Sequence, residues 1–191
     1  MQKKIDLAEA LLETWKTTSQ VTVYLVKNIP PELWNNGIPG YPRKTIGMLA
    51  IHLHNARCMW VKSIEKEKLG KGLTRINPNT GTRKQVMIAL NLSSKAMLNV
   101  LGHCIDKGGQ LPSKPAWLNF PNDVMHLLTY FVAHEAHHRG QIVMAARQLG
   151  RPLTRDMTGG LWQWTKRLKE SLTLQGKIIR PNPKKINLFK M

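Results

Sequence analysis

The stretch that most constrains the fold is Thr129–Gly150, TYFVAHEAHHRGQIVMAARQLG. Its apolar residues Phe131, Val132, Ile142, Val143, Ala146 and Leu149 recur with the helical period, and no proline interrupts them, so the segment predicts one long amphipathic helix. Gly150 and Pro152 supply its stop. With His126 just upstream, it holds four of the chain's seven histidines. Residues four apart on a helix lie one above the other, so His134 and His138 share a face. Tyr130 and His126 extend that row, whereas His137 belongs to a neighbouring stripe. A lone buried histidine is usually a satisfied core residue. Two neutral imidazoles so stacked can converge on one zinc, nickel, copper or iron ion.

Three other segments carry the same period. Ile5 to about Lys27 predicts a first helix, with Leu7, Leu11, Leu12, Trp15, Val21, Tyr24 and Leu25 facing inward. Thr45 to about Lys68 predicts a second, with Ile46, Leu49, Leu53, Met59, Trp60 and Ile64 on the apolar side. Thr82 to about Lys107 predicts a third, stopped by Gly108-Gly109. The histidine-bearing fourth helix starts at Pro121 or Asn122, and Asn122 and Asp123 complement its positive end. The link 29–44, with Pro30, Pro31, Gly37, Pro39, Gly40 and Pro42, breaks the first helix from the second and is a candidate cap over one end of the domain. A second proline-bearing link, 111–121, includes Trp117 and Phe120. Past Pro152, a short fifth helix is expected over roughly Gly160–Leu172, its Trp162 and Trp164 either packing it onto the bundle or lining an apolar pocket near the histidines. No strand-like alternation of useful length occurs. The expectation is therefore all-α: one four-helix bundle over residues 1–173, closed by a short additional C-terminal helix, and a basic tail at 174–191.

Charge is the unusual term. Twenty-nine lysines and arginines against eleven acids leave a formal net charge of +18. Such a surface favours polyanions, nucleic acid included, at least as incidental partners, and a non-catalytic basic binding protein is one reading of the chain. Its tail, with Lys177, Arg180, Lys184, Lys185 and Lys190, motivates that reading. Against it, the excess is scattered from Lys62 and Lys66 through Arg83 and Lys84, and no nucleic-acid motif accompanies it. No apolar run approaches the roughly 18 residues of a membrane span, and the N-terminus turns charged and periodic too early for a signal peptide. Cys58 and Cys104 have no metal-type spacing and read as core filler, so a reducing cytoplasm is the expected location.

Letter by letter, His134-Glu135-Ala136-His137-His138 also matches HExxH, with Glu135 as general base of a zinc hydrolase. The extended form of that motif fails, because Gln141 and Met144 occupy the places of its glycine and third histidine. A better third ligand lies upstream: His52, in the middle of the second helix and near its inward face. His52, His134 and His138 would leave coordination positions open, which is a catalytic rather than a structural arrangement.

TIGMLAIHLHNARCMW, with a histidine eight residues before a tryptophan, and HEAHHRGQI, with its HxxxHRGQ pattern, resemble the DinB/YfiT-like family of helical-bundle metalloproteins. The likeness runs through the LWQW stretch at Leu161–Trp164. It implies a four-helix bundle, often a homodimer, with a divalent ion (zinc, nickel or iron) on His52, His134 and His138. It also implies a small-molecule substrate and, by analogy with thiol-dependent S-transferases of the wider family, a low-molecular-weight thiol or water as the second reactant. The basic tail and the +18 charge lie outside what that resemblance accounts for. Catalytic residues are not assigned; the candidates are Glu135, which points about 100° from the ligand face, and Tyr130, whose hydroxyl either reaches a ligand or sits satisfied in the core. Asn55 is either a partner of the site or an unrelated polar residue. Gly140, inside a helix, suggests a close helix–helix approach. His54, His103 and His137 read as surface or interhelical residues.

Overall fold

The computed structural model describes residues 4–64, 72–112 and 119–175. Four long helices carry the structure: α1 (Leu7–Asn28), α2 (Ile46–Ile64), α3 (Arg83–Asp106) and α4 (Val124–Gln148), followed by the shorter α5 (Arg155–Gly160) and α6 (Trp164–Gln175). Their starts follow from local chemistry. The Asp6 carboxylate accepts the N–H groups of Ala8 and Glu9 at 2.9 and 3.2 Å. Thr82 and Gln85 cap α3 reciprocally, and Asp123 accepts the His126 N–H at 2.9 Å to open α4. Each cap satisfies donors that a helix cannot satisfy itself and contributes about 1 kcal/mol. At the end of α3, Gly108 and Gly109 take φ of 72° and 86°, and the Gly109 N–H closes on the Cys104 carbonyl at 2.8 Å.

The link from α1 to α2 is more regular than a loop. Pro31–Leu33 forms one 3-10 turn, and β1 (Gly37–Ile38) pairs antiparallel with β2 (Tyr41–Thr45). The all-α expectation holds, with this hairpin as a small addition to it. The hairpin is too short, and its register too irregular between Gly37 and Ile38, for alternation to show. It is seated on α2 through Trp34. The Gly47 N–H bonds the Trp34 carbonyl at 2.8 Å, and a Cβ at Gly47 would stand 2.7 Å from the indole.

α1 packs against α3, α4 and α6, and α2 packs against α3 and α4. The apolar core falls into two clusters, one around Trp15, Trp60, Met97, Leu101 and Phe131, the other around Val26, Leu49, Leu53, Leu90 and Ile142. Between the two stretches that each helix contributes lies a polar layer. Arg57 of α2 and Glu135 of α4 are both fully buried. Arg57 Nε donates to Glu135 Oε1 at 2.7 Å, and Nη2 stands 2.6 Å from the same oxygen. Thr22 of α1 donates its hydroxyl to Glu135 Oε2 at 2.5 Å, and Arg57 Nη1 donates to the Leu90 carbonyl of α3 at 3.0 Å. One ion pair thus touches all four long helices.

Other expectations need correcting. Leu7 lies 64% exposed, in the first turn before α1 meets the bundle, and Met59 is also on the outside. The expected fifth helix is two helices, with Thr154 capping α5 and a turn at Leu161–Trp162 separating it from α6. Trp162 on that turn is 78% exposed rather than packed, and Trp164 is exposed as well. A Cβ at Gly140 would meet nothing within 4 Å, so no helix approaches there among the described residues. The end of the expected second helix (65–68, including Lys66), Trp117 and the basic tail from residue 176 lie outside the described residues.

Candidate metal centre

The packing of α2 against α4 sets His52 beside the His134–His138 row. One nitrogen from each ring lies within 4.8 Å of the others, and the Nε2 atoms of His52 and His134 are 3.2 Å apart. Two nitrogens bound to zinc at about 2.05 Å and a tetrahedral angle would stand roughly 3.3 Å apart, so the spacing already suits a shared ion. Exposure is graded across the cluster: His138 is buried, His134 half-buried and His52 exposed. His52 therefore does not face inward as expected. The cluster sits at the surface seam between α2 and α4.

Neighbouring side chains hold the rings. His138 Nδ1 donates to Gln141 Oε1 at 2.7 Å, and the Gln141 amide nitrogen lies 3.0 Å from His137 Nε2. With Nδ1–H so engaged, the Nε2 lone pair of His138 is free for a ligand, the division of labour usual for metal-binding imidazoles. Tyr130 stacks on His134 with centroids 5.4 Å apart and planes inclined by 21°. Trp60, 5.0 Å from the Tyr130 ring, supports it from behind. His134 Nδ1 is buried with no hydrogen-bond partner, which leaves Nε2 as the nitrogen through which this ring meets His52.

Burial, and after it the charge the neighbouring histidines would bring, pushes His134 down to about 4. Burial lowers His138 to about 4 as well, against the raising effect of its bond to Gln141. Partial burial, then Lys44 and Arg75, lowers His52. All three rings are neutral at pH 7. Three neutral imidazoles with converging lone pairs are a donor set that zinc, nickel and iron accept, so the residues fit a divalent ion.

The other candidates fall elsewhere. Glu135, next in the chain to His134, turns into the polar layer, where Arg57 holds one carboxylate oxygen and Thr22, with Arg139 at 3.7 Å, the other. A fully buried carboxylate held on both oxygens cannot serve as the base of an HExxH hydrolase at this surface, and that reading fails on geometry. His126 pairs with Asp123 at 2.6 Å at the start of α4. His54 is buried, its Nε2 2.9 Å from the Thr74 carbonyl. Asn55 donates to the Ile76 carbonyl at 2.8 Å and accepts the Ile76 N–H at 2.9 Å, so it tethers a loop rather than a ligand. Trp162 and Trp164 line a hollow with Met144 and Gly140 on the far side of α4 from the cluster. Gln141 is the residue that the sequence reading passed over, although its place three after His138 puts it within reach on the helix.

Beside His52 the seam opens into a pocket of about 520 Å³, walled by Met48, Asn55, Arg75, Ile76 and Asn77. The DinB family model matches residues 1–170, a span that takes in α2, α4 and all three histidines. The chain belongs to the DinB family. No curated protein and no solved structure matches it. Within this DinB-family chain the match ends inside α6, so the basic tail lies beyond it. Among the described residues, no helix is long and apolar enough to cross a membrane.

Proposed function

We propose that this DinB-family chain is a divalent-metal-dependent enzyme, with His52, His134 and His138 as the ligands, acting on a small molecule bound in the pocket beside His52. The observation that carries the reading is the convergence of three neutral imidazoles within 4.8 Å at the edge of that pocket. Three protein ligands leave positions open, as catalytic sites do and closed structural sites do not. When bound, the ion supplies Lewis acidity that lets a water or a thiol lose its proton near neutral pH, a task for which the pocket lining offers no carboxylate among the described residues. The chain's own residues orient and shield. Gln141 fixes the tautomer of His138, Tyr130 fixes the plane of His134, and Met48 and Ile76 make the approach partly apolar. Hydrolysis and S-transfer are the reaction classes this arrangement serves; a low-molecular-weight thiol as second reactant rests on the family resemblance.

Elemental analysis of the purified, tag-free protein tests the reading. Wild type is expected to carry about one zinc, nickel or iron ion per chain, and His52→Ala, His134→Ala and His138→Ala are each expected to lose it. A wild-type chain that stays metal-free after loading with all three ions would make the histidines packing residues and remove the proposal.

A further inference from the structure

The pocket beside the histidines has a built wall. α2 straps the segment 72–82 to its own surface, through His54 at the Thr74 carbonyl (2.9 Å) and Asn55 at both the carbonyl and the N–H of Ile76 (2.8 and 2.9 Å). Both anchoring side chains are themselves buried. The residue between the two anchored positions is Arg75, which is exposed and lines the same pocket as His52. Its backbone is thus fixed on both sides while its guanidinium stays free. Lys44, next to last in β2, stands four residues before Met48 and eight before His52, two of the α2 side chains that line the pocket, so the chain enters α2 with this cation at the head of that row. No ion pair engages Lys44 or Arg75 among the described residues, and no carboxylate lines the pocket.

A surface lysine or arginine is ordinary in a chain of charge +18. Two buried side chains devoted to fixing the backbone under one of them is not, because burying an asparagine and a histidine is favourable only when each finds its partners. An arginine on a fixed backbone loses less freedom on binding and presents a fork matched to oxyanions. We propose that Arg75 and Lys44 form an anion subsite beside the histidine cluster, so that the substrate is a small molecule with a carboxylate or phosphate group at one end and its reacting group at the other. This deepens the metal-centre reading and rests on it for the reacting end; the subsite itself acts through fixed cations.

The test uses three probes of similar size on the zinc-treated protein: 3-mercaptopropionate, 3-mercaptopropylphosphonate and the uncharged 3-mercaptopropionamide. Binding is followed by the backbone amide shifts of residues 74–77, and zinc content is measured on the same samples. Wild type is expected to bind at least one anion roughly tenfold or more tighter than the amide, and the better anion names the head group. Arg75→Gln and Lys44→Gln are each expected to erase most of that preference without changing amide binding. Arg75→Lys should restore part of it, and Lys95→Gln, an exposed lysine on α3, should leave it intact. If the samples hold no zinc, the preference for an anion is still expected, because the two cations act without the ion. Equal binding of anions and amide, with or without zinc, overturns the subsite; so does a preference lost equally in Lys95→Gln, which would make it an effect of overall charge.

Discussion

Glu135→Ala is expected to cost roughly 3–5 kcal/mol of folding free energy, a large fraction of the 5–15 kcal/mol that typically holds a domain together. The reason lies in what the substitution leaves behind. Arg57 is fully buried, and without Glu135 its guanidinium would keep, among the described residues, the Leu90 carbonyl and the face of Trp15, 4.9 Å away. A charge so stranded has neither water nor a counterion. Arg57→Ala should be comparably damaging from the other side. The double change Arg57→Met with Glu135→Leu is expected to recover most of the loss, since replacing both members of a buried pair by apolar residues is often neutral or better. Denaturant unfolding of the two single variants and the double variant reads all three values. A Glu135→Ala protein within about 1 kcal/mol of wild type would mean that the layer does not hold the helices as described. The double variant should also retain its metal, because Glu135 is not one of the three proposed ligands and the packing of α2 on α4 is kept.

The second large effect joins acidity to metal. In the unfolded chain, imidazoles take up a proton near pH 6.5. In the folded chain His134 and His138 resist until about 4. Between those values the unfolded state binds more protons, so stability that is complete above about pH 6.5 is lost as pH falls toward 4. Zinc at a hundred times its dissociation constant should add about 2.7 kcal/mol. Because His134 and His138 are already neutral there, proton competition at these two rings should change that increment little between pH 7 and 6 and grow as pH approaches 4. Thermal unfolding from pH 4 to 7.5, with and without zinc, measures both curves, and His134→Ala should remove the zinc increment. Zinc-free stability that stays flat between pH 6.5 and 5 would show that these two histidines titrate like free ones.

Much of this was legible in the chain because it is local. Helical period, the acidic start of α4 at Asp123, the glycine stop after α3, and the four-residue spacing of His134 and His138 all depend on neighbours within one or two turns. What was hidden depends on distance. Nothing near Glu135 in sequence says that its partner is Arg57, 78 residues away. An acid in the middle of α4 and an arginine in the middle of apolar α2 were the available signal. His54 and Asn55 could not be recognised as anchors while the path of the 72–82 segment was unknown. His52 does lie beside His134 and His138, but its side of α2 was misjudged, because the period of a helix buried on most of its circumference identifies the exposed stripe poorly. The hairpin escaped because β1 is two residues long and irregular register leaves no alternation to read.

Cys58 sits under the strapped loop, fully buried, with its sulfur 3.2 Å from His54 Nε2 and 3.8 Å from the Thr74 carbonyl. Burial pushes its thiol up to about 11, so in the closed protein it is both shielded and protonated. An alkylating reagent can then reach it only when the loop lifts, and the rate at which a dilute reagent consumes the thiol becomes a clock for that opening. Cys104, equally buried but deep between the long helices, should keep time for unfolding of the bundle instead. The chain thus carries two native stopwatches, one for the wall of its pocket and one for its core.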